Sequence, residues 1–353
     1  MKLTRLLFIC TALFLSGCDS EPQTRQAKFF AFGTEIDVSL YDVDTEIANN
    51  TVDVLNQTFS NVNDDWHAWQ PSTLTSINLA ISAGQPIAIE EDTAHLINLA
   101  KSLANDSQNL FNPAAGKLFE LWGFHQDNWF ESHPPPNEVD INTWLANQPT
   151  MDDIQITDGK LSSSNNVVKL GFGAFAKGFA VDTAIEALQQ QGISNAIVNI
   201  GGDLRAIGSH GQRPWIIGIR HPRKNGMVAS IALKDDESVF TSGDYERFFQ
   251  YKGKRYPHII DPRTGYPADQ ATSVTVLHTN ASIADAAATA LFVAGDNWPE
   301  IAAAMNIDHV MLVRPDGQIE LSPLMEDRVR LIGNTKPAII RTEYFQAKDS
   351  KQP

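Results

Sequence analysis

The stretch "LGFGAFAKGFAVD", Leu170–Asp182, has at first sight the form of a glycine-rich loop that binds a dinucleotide. Gly171, Gly173 and Ala176 satisfy the G-x-G-x-x-G/A spacing, an apolar run precedes them, and a helical pattern follows. The second half of that fingerprint is missing, because no acidic residue stands about 20 positions further on, where the chain reads "EALQQQG". The Gly-Lys-Ser/Thr of a P-loop is absent too. The stretch therefore argues against both nucleotide-binding folds.

A flexible turn that leads into a helix near Lys177 remains after this exclusion. Backbone N–H groups at a helix start attract anions, and glycines let a ligand approach the main chain closely. The same glycines also suit tight packing of a strand against a helix, with no ligand involved. The loop alone leaves both interpretations open.

The composition is that of a globular protein and not of a nucleic-acid-binding one. The chain has 353 residues, 42% of them hydrophobic and 20% charged, which is enough for one large domain or two small ones. Its formal net charge is −15, so it lacks the basic face that a phosphate backbone requires. Its two cysteines, Cys10 and Cys18, both lie in the N-terminal segment, which excludes a disulfide or a cysteine nucleophile in the remainder.

The N-terminus predicts export and a lipid anchor. "MKLTRLLFICTALFLSGC" has two basic residues, an apolar run and small residues before Cys18, as secretory signals do. Its ending resembles the lipobox of bacterial lipoproteins, and Asp19 resembles an inner-membrane retention signal; a plain cleaved signal is the alternative. We expect a signal peptide over 1–17, a lipid-anchored tether over 18–28, and a location on the periplasmic face of the inner membrane. The acyl chain at Cys18 would be the only membrane contact.

Periodicity predicts an α+β fold with antiparallel strands, unlike a doubly wound fold. A strand is expected around Gly33, followed by a helix over "TEIANNTVDVLNQTFSNVNDDW" and another that begins near Thr93. A strand at 167–170 should precede the glycine turn, with a helix after it that stops at Gly192. Further expected elements are several antiparallel strands, an alanine-rich helix closed by Gly295, and a terminal hairpin. The segment "HPPPNEVD" is expected to be a loop.

Asp285 and Thr289 are four residues apart in "ADAAATALFVAG", so they share one face of the expected helix. A carboxylate and a hydroxyl oxygen beside small alanines form an oxygen-rich half-site that suits Mg²⁺. The alternative is that Asp285 only stabilises the first helical turn while the alanines fill the core.

Three polar turns are further candidates for chemistry. Asp203 follows two glycines, Ser242 and Gly243 form a tight turn, and His258 and Asp261 lie around a Pro and a Gly. Each is equally well explained as a structural β-turn, and His258 as either a general base or a strand-end histidine. No H-E-x-x-H or G-x-S-x-G motif is present, which argues against a zinc protease and an esterase of that type.

Six ordered segments together resemble the ApbE family of FAD:protein FMN transferases. They are "GAFAKGFAVD", "NIGGDLRAIG", "WIIGI", "TSGDYERFF", "RYPHIIDPRTGYP" and "ADAAATALFVAG", with "FFAFGT" and "LFNPAAGKLFELWGF" before them. The resemblance implies an ApbE-like (T-fold-like) mixed α/β domain over 29–340, with a polar tail over 341–353. It also implies a Mg²⁺-dependent enzyme that splits the substrate FAD, joins FMN to a threonine or serine of an acceptor protein and releases AMP.

The resemblance also carries a set of site residues. It implies a metal site made of Asp285, Thr289, the carbonyl of Ala174 and the position of Ala288. Catalysis would use Asp285 and a base, for which His258, Asp244 and Asp261 are candidates. The FAD-binding residues would be Phe32, Trp69, Trp122, Gly123, Phe124, Gly171, Lys177, Ser242, Gly243 and Ile259, with the last on the adenine side.

One position departs from the family pattern. Relatives usually have an aspartate that contacts the flavin six residues before the lysine, where this chain has Gly171. This departure keeps a non-catalytic FAD-binding lipoprotein open as an alternative, along with a Mg²⁺-dependent FAD pyrophosphatase. The resemblance implies an acceptor of the respiratory quinone or ferredoxin oxidoreductase type, and no nucleic acid partner.

Overall fold

The computed structural model describes residues 23–126, 128–333 and 336–349. The expected signal peptide, Cys18 and the first part of the tether lie outside these residues. Over the described ranges, no helix is both long enough and apolar enough to cross a bilayer.

A nine-stranded sheet forms the centre of the fold. Its strands are β1 (Thr24–Ala31), β2 (Thr34–Tyr41), β6 (Ala196–Ile200), β7 (Asp203–Ile207), β10 (Glu237–Gly243), β15 (Ser273–His278), β16 (His309–Val313), β17 (Ile319–Leu321) and β19 (Ala338–Ile339). They lie side by side in the order β1-β2-β6-β7-β10-β15-β16-β17-β19. All neighbouring strands are antiparallel except β17 and β19.

Smaller sheets surround this one. Their strands are β3 (Ile87–Ala88), β4 (Ile154–Thr157), β5 (Lys160–Ser163), β8 (Ile216–Arg220), β9 (Met227–Ala232), β11 (Phe248–Tyr251), β12 (Lys254–Pro257), β13 (Ile260–Asp261), β14 (Tyr266–Pro267) and β18 (Val329–Leu331). Two of these sheets have three strands, β18-β9-β8 and β3-β5-β4, and two are hairpins, β11-β12 and β13-β14. The prediction of an α+β fold with antiparallel strands is confirmed.

Ten α-helices occur in the described part of the chain, and the two central ones are α6 (Ala176–Gln190) and α7 (Ala281–Ala294). The others are α1 (Thr45–Asp65), α2 (Thr73–Ser82), α3 (Glu91–Asp106), α4 (Gly116–Leu121), α5 (Glu138–Asn147), α8 (Trp298–Ala304), α9 (Pro323–Glu326) and α10 (Glu343–Asp349). Short 3₁₀ turns cover Met151–Asp153 and Gly295–Asn297.

The prediction of a strand at 167–170 is wrong. Lys169 forms only a single bridge, to Ala115, and the next residue bonds to a side chain. The N–H of Leu170 donates to Asn78 Oδ1 at 2.6 Å, and its carbonyl accepts from Asn78 Nδ2 at 2.8 Å. One asparagine thus replaces the neighbouring strand as the partner of this backbone.

The loop expected at "HPPPNEVD" is also only partly right, because α5 begins inside it. Asn137 accepts a hydrogen bond from the Asp140 N–H through its side chain, which caps the helix start. The stretch around Gly33 forms a tight hairpin and not one strand, because Phe32 and Gly33 both take positive φ between β1 and β2.

Both ends of the expected domain differ in the structure. β1 begins at Thr24, inside the segment expected to be a tether, and pairs along its length with β2. The segment expected to be a polar tail contains α10, whose Phe345 is buried with its ring 5.7 Å from that of Trp298. The folded domain therefore extends beyond 29–340 on both sides. At the N-terminal side β1 pairs with β2, and at the C-terminal side Phe345 packs against Trp298.

The packing of α6 against α7 places the polar residues of the site. Gly178 lies where the helices cross, and a Cβ there would stand 2.4 Å from the carbonyl oxygen of Ala281. Only glycine permits this approach. Twelve of the fourteen residues of α7 are buried, so the alanine-rich helix is a core element that packs against the protein on nearly all sides.

Candidate active site

A cavity of about 430 Å³ opens where α4, α6 and α7 meet the hairpin turns of the central sheet. Its wall contains the aromatic side chains of Phe32, Trp69, Phe111, Phe119 and Trp129. It also contains a set of polar residues: Glu120, Lys169, Lys177, Thr241, Ser242, Glu246, Arg247, His258, Asp285 and Thr289. One chamber thus offers flat apolar surfaces together with a cluster of charges.

Lys177 forms an ion pair with Asp203, which is itself buried at the start of β7. The second carboxylate oxygen of Asp203 accepts the N–H of Thr241 at 2.9 Å. Burial alone would lower the pKa of Lys177, but Asp203, Asp285 and Glu246 together raise that pKa above its ordinary value. Lys177 therefore carries a fixed positive charge at the cavity wall, as expected of a residue that faces an anionic substrate.

Asp285 lies on the inner face of α7, 5% exposed, and reaches the cavity. Its Oδ2 accepts the N–H of Gly178 at 2.9 Å across the helix crossing. Burial raises its pKa to about 7; Lys177 lowers that pKa, and Asp203 and Glu246 raise it. A nearby cation would stabilise the charged form of this buried carboxylate.

Asp182 fixes the start of α7 and is a residue whose role sequence reasoning missed. Its Oδ1 accepts the N–H of Ala281 at 2.9 Å, and its Oδ2 accepts the N–H and Oγ–H of Ser282 at 2.8 and 2.7 Å. Arg205 pairs with the same carboxylate. Because Asp285 stands one turn further along α7, Asp182 sets where that carboxylate points.

The residues expected to supply oxygen donors to a metal line the cavity. Ala174, Asp285 and Thr289 are all on its wall, and the Thr289 hydroxyl lies 3.1 Å from that of Ser242. A carboxylate, a hydroxyl and a carbonyl are the hard donors that Mg²⁺ prefers, so these residues fit the ion. Ala288 is buried and absent from the wall, because its methyl group faces the core.

Among the three candidate bases, only His258 lines the cavity. Asp244 is paired bidentately with Arg223, and Asp261 with Arg263, and neither carboxylate is on the wall. The N–H of His258 donates to the Arg247 carbonyl at 3.0 Å, and its Nδ1 lies 3.1 Å from the same oxygen.

The environment of His258 keeps its imidazole neutral. Burial, with the positive charges of Arg247 and Lys177, lowers the pKa of His258 to about 3, although its hydrogen bond to the Arg247 carbonyl acts in the opposite direction. With Nδ1–H assigned as the donor to the Arg247 carbonyl, Nε2 is left as the proton-accepting atom.

Part of the expected flavin-binding set is separated from the cavity. Phe32, Trp69, Gly171, Ser242, Gly243 and Ile259 line it, as expected. Trp122, Gly123 and Phe124 do not: Trp122 and Phe124 are fully buried in a cluster of their own, and Trp122 Nε1 donates to the Gly265 carbonyl at 2.8 Å. The indole of Trp122 is thus fully buried, whereas Phe119 and Trp129 line the cavity.

A family model described as the ApbE family matches residues 32–311. The chain belongs to the ApbE family. It is 41% identical over 316 residues to a protein of Rhodobacter capsulatus named FAD:protein FMN transferase; the match covers 88% of this chain and 60% of that relative. The chain therefore spans about three fifths of the length of this ApbE relative.

Solved ApbE structures have the same fold. The crystal structure of the ApbE protein of Thermotoga maritima superposes with a TM-score of 0.80 at 31% identity, covering 87% of this chain and all of that one. The flavin transferase ApbE of Vibrio cholerae gives a TM-score of 0.75 at 27% identity, covering 87% of this chain and 99% of that one. The family resemblance and the fold expected from it are thereby confirmed.

Proposed function

We propose that this ApbE protein is a Mg²⁺-dependent transferase that moves FMN from FAD to a threonine or serine hydroxyl of an acceptor flavoprotein. In this reaction the acceptor oxygen forms a bond to the phosphorus of the FMN half, the P–O bond to the AMP half breaks, and AMP leaves. The hydroxyl proton passes to a base. The names of the relatives support the transfer, and the cavity supports the chemistry.

The observation that carries this proposal is the joining of two surfaces in one cavity. Phe119 and Trp129 present aromatic surface of the kind that stacks on an isoalloxazine ring. Lys177, Asp285 and Thr289 present charge and oxygen donors of the kind that a metal-bound pyrophosphate needs. FAD carries both parts, a flat ring system and a pyrophosphate.

Each polar residue has a role in this proposal. Asp285, Thr289 and the Ala174 carbonyl would hold Mg²⁺, which when bound neutralises charge on the pyrophosphate and the leaving group. Lys177 binds phosphoryl oxygens while Asp203 orients it. His258 is the candidate to take the acceptor's proton at Nε2, because it alone of the three candidates faces the cavity.

The test is transfer measured by mass. The full chain, purified in detergent, is incubated with FAD, Mg²⁺ and a flavoprotein domain that carries the acceptor threonine, and the domain is weighed by mass spectrometry. We expect the mass of the domain to increase by one FMN, and we expect no increase when EDTA is present. Asp285→Ala should abolish the gain while the far-ultraviolet circular dichroism stays native, and Asp316→Ala, in the exposed turn of the terminal hairpin, serves as the matched control.

Other outcomes assign other functions. Undiminished transfer by Asp285→Ala would rule out the metal assignment. Release of FMN and AMP without an acceptor would indicate the pyrophosphatase, in which water replaces the hydroxyl. FAD that stays bound and intact would indicate a flavin-binding lipoprotein.

The location and the acceptor belong to the same proposal. We infer a lipid anchor at Cys18, a position on the periplasmic face of the inner membrane, and an acceptor of the respiratory quinone or ferredoxin oxidoreductase type. The lipobox-like ending "LSGC" supports the anchor. Cys18→Ser should move the protein from the membrane fraction to the soluble periplasm, and unchanged fractionation would contradict the anchor.

A further inference from the structure

Arg247 lies on the cavity wall and follows β10 in the chain, but sequence reasoning gave it no role. Its backbone carbonyl accepts the N–H of His258 at 3.0 Å, which anchors the residue beside the candidate base. Its Nη2 lies 3.6 Å from the position that a Cβ would take at Gly33, in the hairpin turn between β1 and β2. The guanidinium group therefore lies between this turn and the cavity.

The guanidinium group of Arg247, unlike those of Arg223 and Arg263, has no acidic partner in contact within the described ranges. Arg223 and Arg263 each form two-pronged pairs with an aspartate. The guanidinium group of Arg247 takes part in no ion pair or hydrogen bond formed within the described ranges. Burial lowers its pKa, and the charge of Glu246 only partly opposes that effect. A guanidinium stays charged in proteins, so this site holds a cation that the chain leaves without a bound anion.

Two cations act on the same region of the cavity. Lys177, Arg247 and His258 line the same cavity, and, besides the effect of burial, both positive charges lower the pKa of His258. Lys177 already has a carboxylate partner in Asp203. Among the lysine and arginine side chains on this wall, that of Arg247 is therefore the one without a carboxylate in contact within the described ranges, and its charge favours an anionic ligand group next to His258.

We propose that the guanidinium group of Arg247 binds a phosphoryl oxygen of the FAD pyrophosphate. This inference rests on the proposed function, because it takes FAD as the ligand of the cavity. The planar fork of a guanidinium matches the oxygens of a phosphoryl group, and such charge-assisted bonds are stronger than neutral ones. Arg247 thus supplies phosphate recognition that does not require the metal.

The test compares FAD with riboflavin, which has the same ring and no phosphate. Both ligands are titrated into the full chain in detergent by isothermal calorimetry, with EDTA present so that metal binding does not contribute. We expect Arg247→Gln to weaken FAD binding about 10- to 100-fold, the usual contribution of a hydrogen bond to a charged group. Riboflavin affinity should change less than about threefold, and Arg247→Lys should recover part of the loss.

Arg330→Gln is the matched control, because Arg330 is exposed on β18 and its loss should leave both affinities unchanged. Thermal melting of each variant shows that it is folded. Equal losses for FAD and riboflavin would overturn the proposal, because Arg247 would then act on the ring or on the cavity shape. Unchanged FAD binding in Arg247→Gln would also overturn it. A wild-type chain that fails to bind FAD even when Mg²⁺ replaces EDTA would instead refute the proposed function itself.

Discussion

Replacing Asp182 by asparagine tests whether the start of α7 is held as the structure indicates. The carboxylate, 6% exposed, accepts three hydrogen bonds from Ala281 and Ser282 and pairs with Arg205. An amide has the same shape but only one acceptor oxygen. Whichever way the introduced amide turns, its NH₂ group must face N–H or O–H donors, so at least one buried donor loses its acceptor and Arg205 loses a charge partner.

The magnitude follows from those losses. Each buried donor left unsatisfied costs about 1–3 kcal/mol, and breaking one side of a buried ion pair costs about 3–5 kcal/mol. These costs overlap, because Arg205 keeps Asp236 as a second partner at 2.7 Å. We therefore expect Asp182→Asn to lower the free energy of unfolding by about 3–4 kcal/mol.

Urea unfolding followed by tryptophan fluorescence measures this change. Asp158→Asn is the matched control, because Asp158 is exposed in a turn with φ of 49°, a conformation that asparagine tolerates. It should stay within about 0.5 kcal/mol of the wild type. A loss below about 1 kcal/mol in Asp182→Asn would refute the claim that this carboxylate holds α7 in place.

Three further outcomes are expected. Gly178→Ala should lower the free energy of unfolding by about 1–3 kcal/mol in urea titrations, because its Cβ would press on the Ala281 carbonyl; wild-type stability would contradict the close helix crossing. Gly171→Asp should fold with little change, because a Cβ there meets only Gly116 Cα at 3.6 Å, and calorimetry then shows whether the added carboxylate raises FAD affinity. His258 should make the fold acid-sensitive: its folded pKa is about 3 and its unfolded pKa about 6.5, so the unfolded chain binds the extra proton between these values and stability falls as pH falls through that window. His258→Gln should remove about 2.5 kcal/mol of the loss measured between pH 7 and pH 4.5, and an unchanged pH profile would contradict a buried neutral imidazole.

The sequence predicted the elements whose evidence is local. Apolar spacing located α1, α3, α6 and α7, and glycine marked the end of α6 and of α7. The spacing of Asp285 and Thr289 predicted their common helix face, and both line the cavity. These features depend on residues a few positions apart, where backbone geometry alone relates the side chains.

The features that escaped prediction depend on distant partners. In place of the strand expected at 167–170 there is a single bridge, and Asn78, 92 residues away, bonds to both the N–H and the carbonyl of Leu170. The family resemblance implied a flavin contact for Trp122, and its indole is buried in the core, where it donates to the Gly265 carbonyl, 143 residues away. No local pattern indicates such pairings, because only the tertiary fold determines which polar groups meet.

The charges around α6 support the ligand that the proposed function assigns to the cavity. Asp182 and Asp203 each have a basic partner within the chain, in Arg205 and Lys177. Asp285 forms no ion pair within the described ranges, and burial raises its pKa to about 7. A cation supplied by a ligand would stabilise the charged form of this carboxylate. The guanidinium group of Arg247 is the corresponding cation, because no anion contacts it within the described ranges. A ligand that brings a divalent metal and phosphoryl oxygens together would satisfy both groups at once, whereas a neutral ligand or an uncomplexed phosphate would leave at least one of them uncompensated.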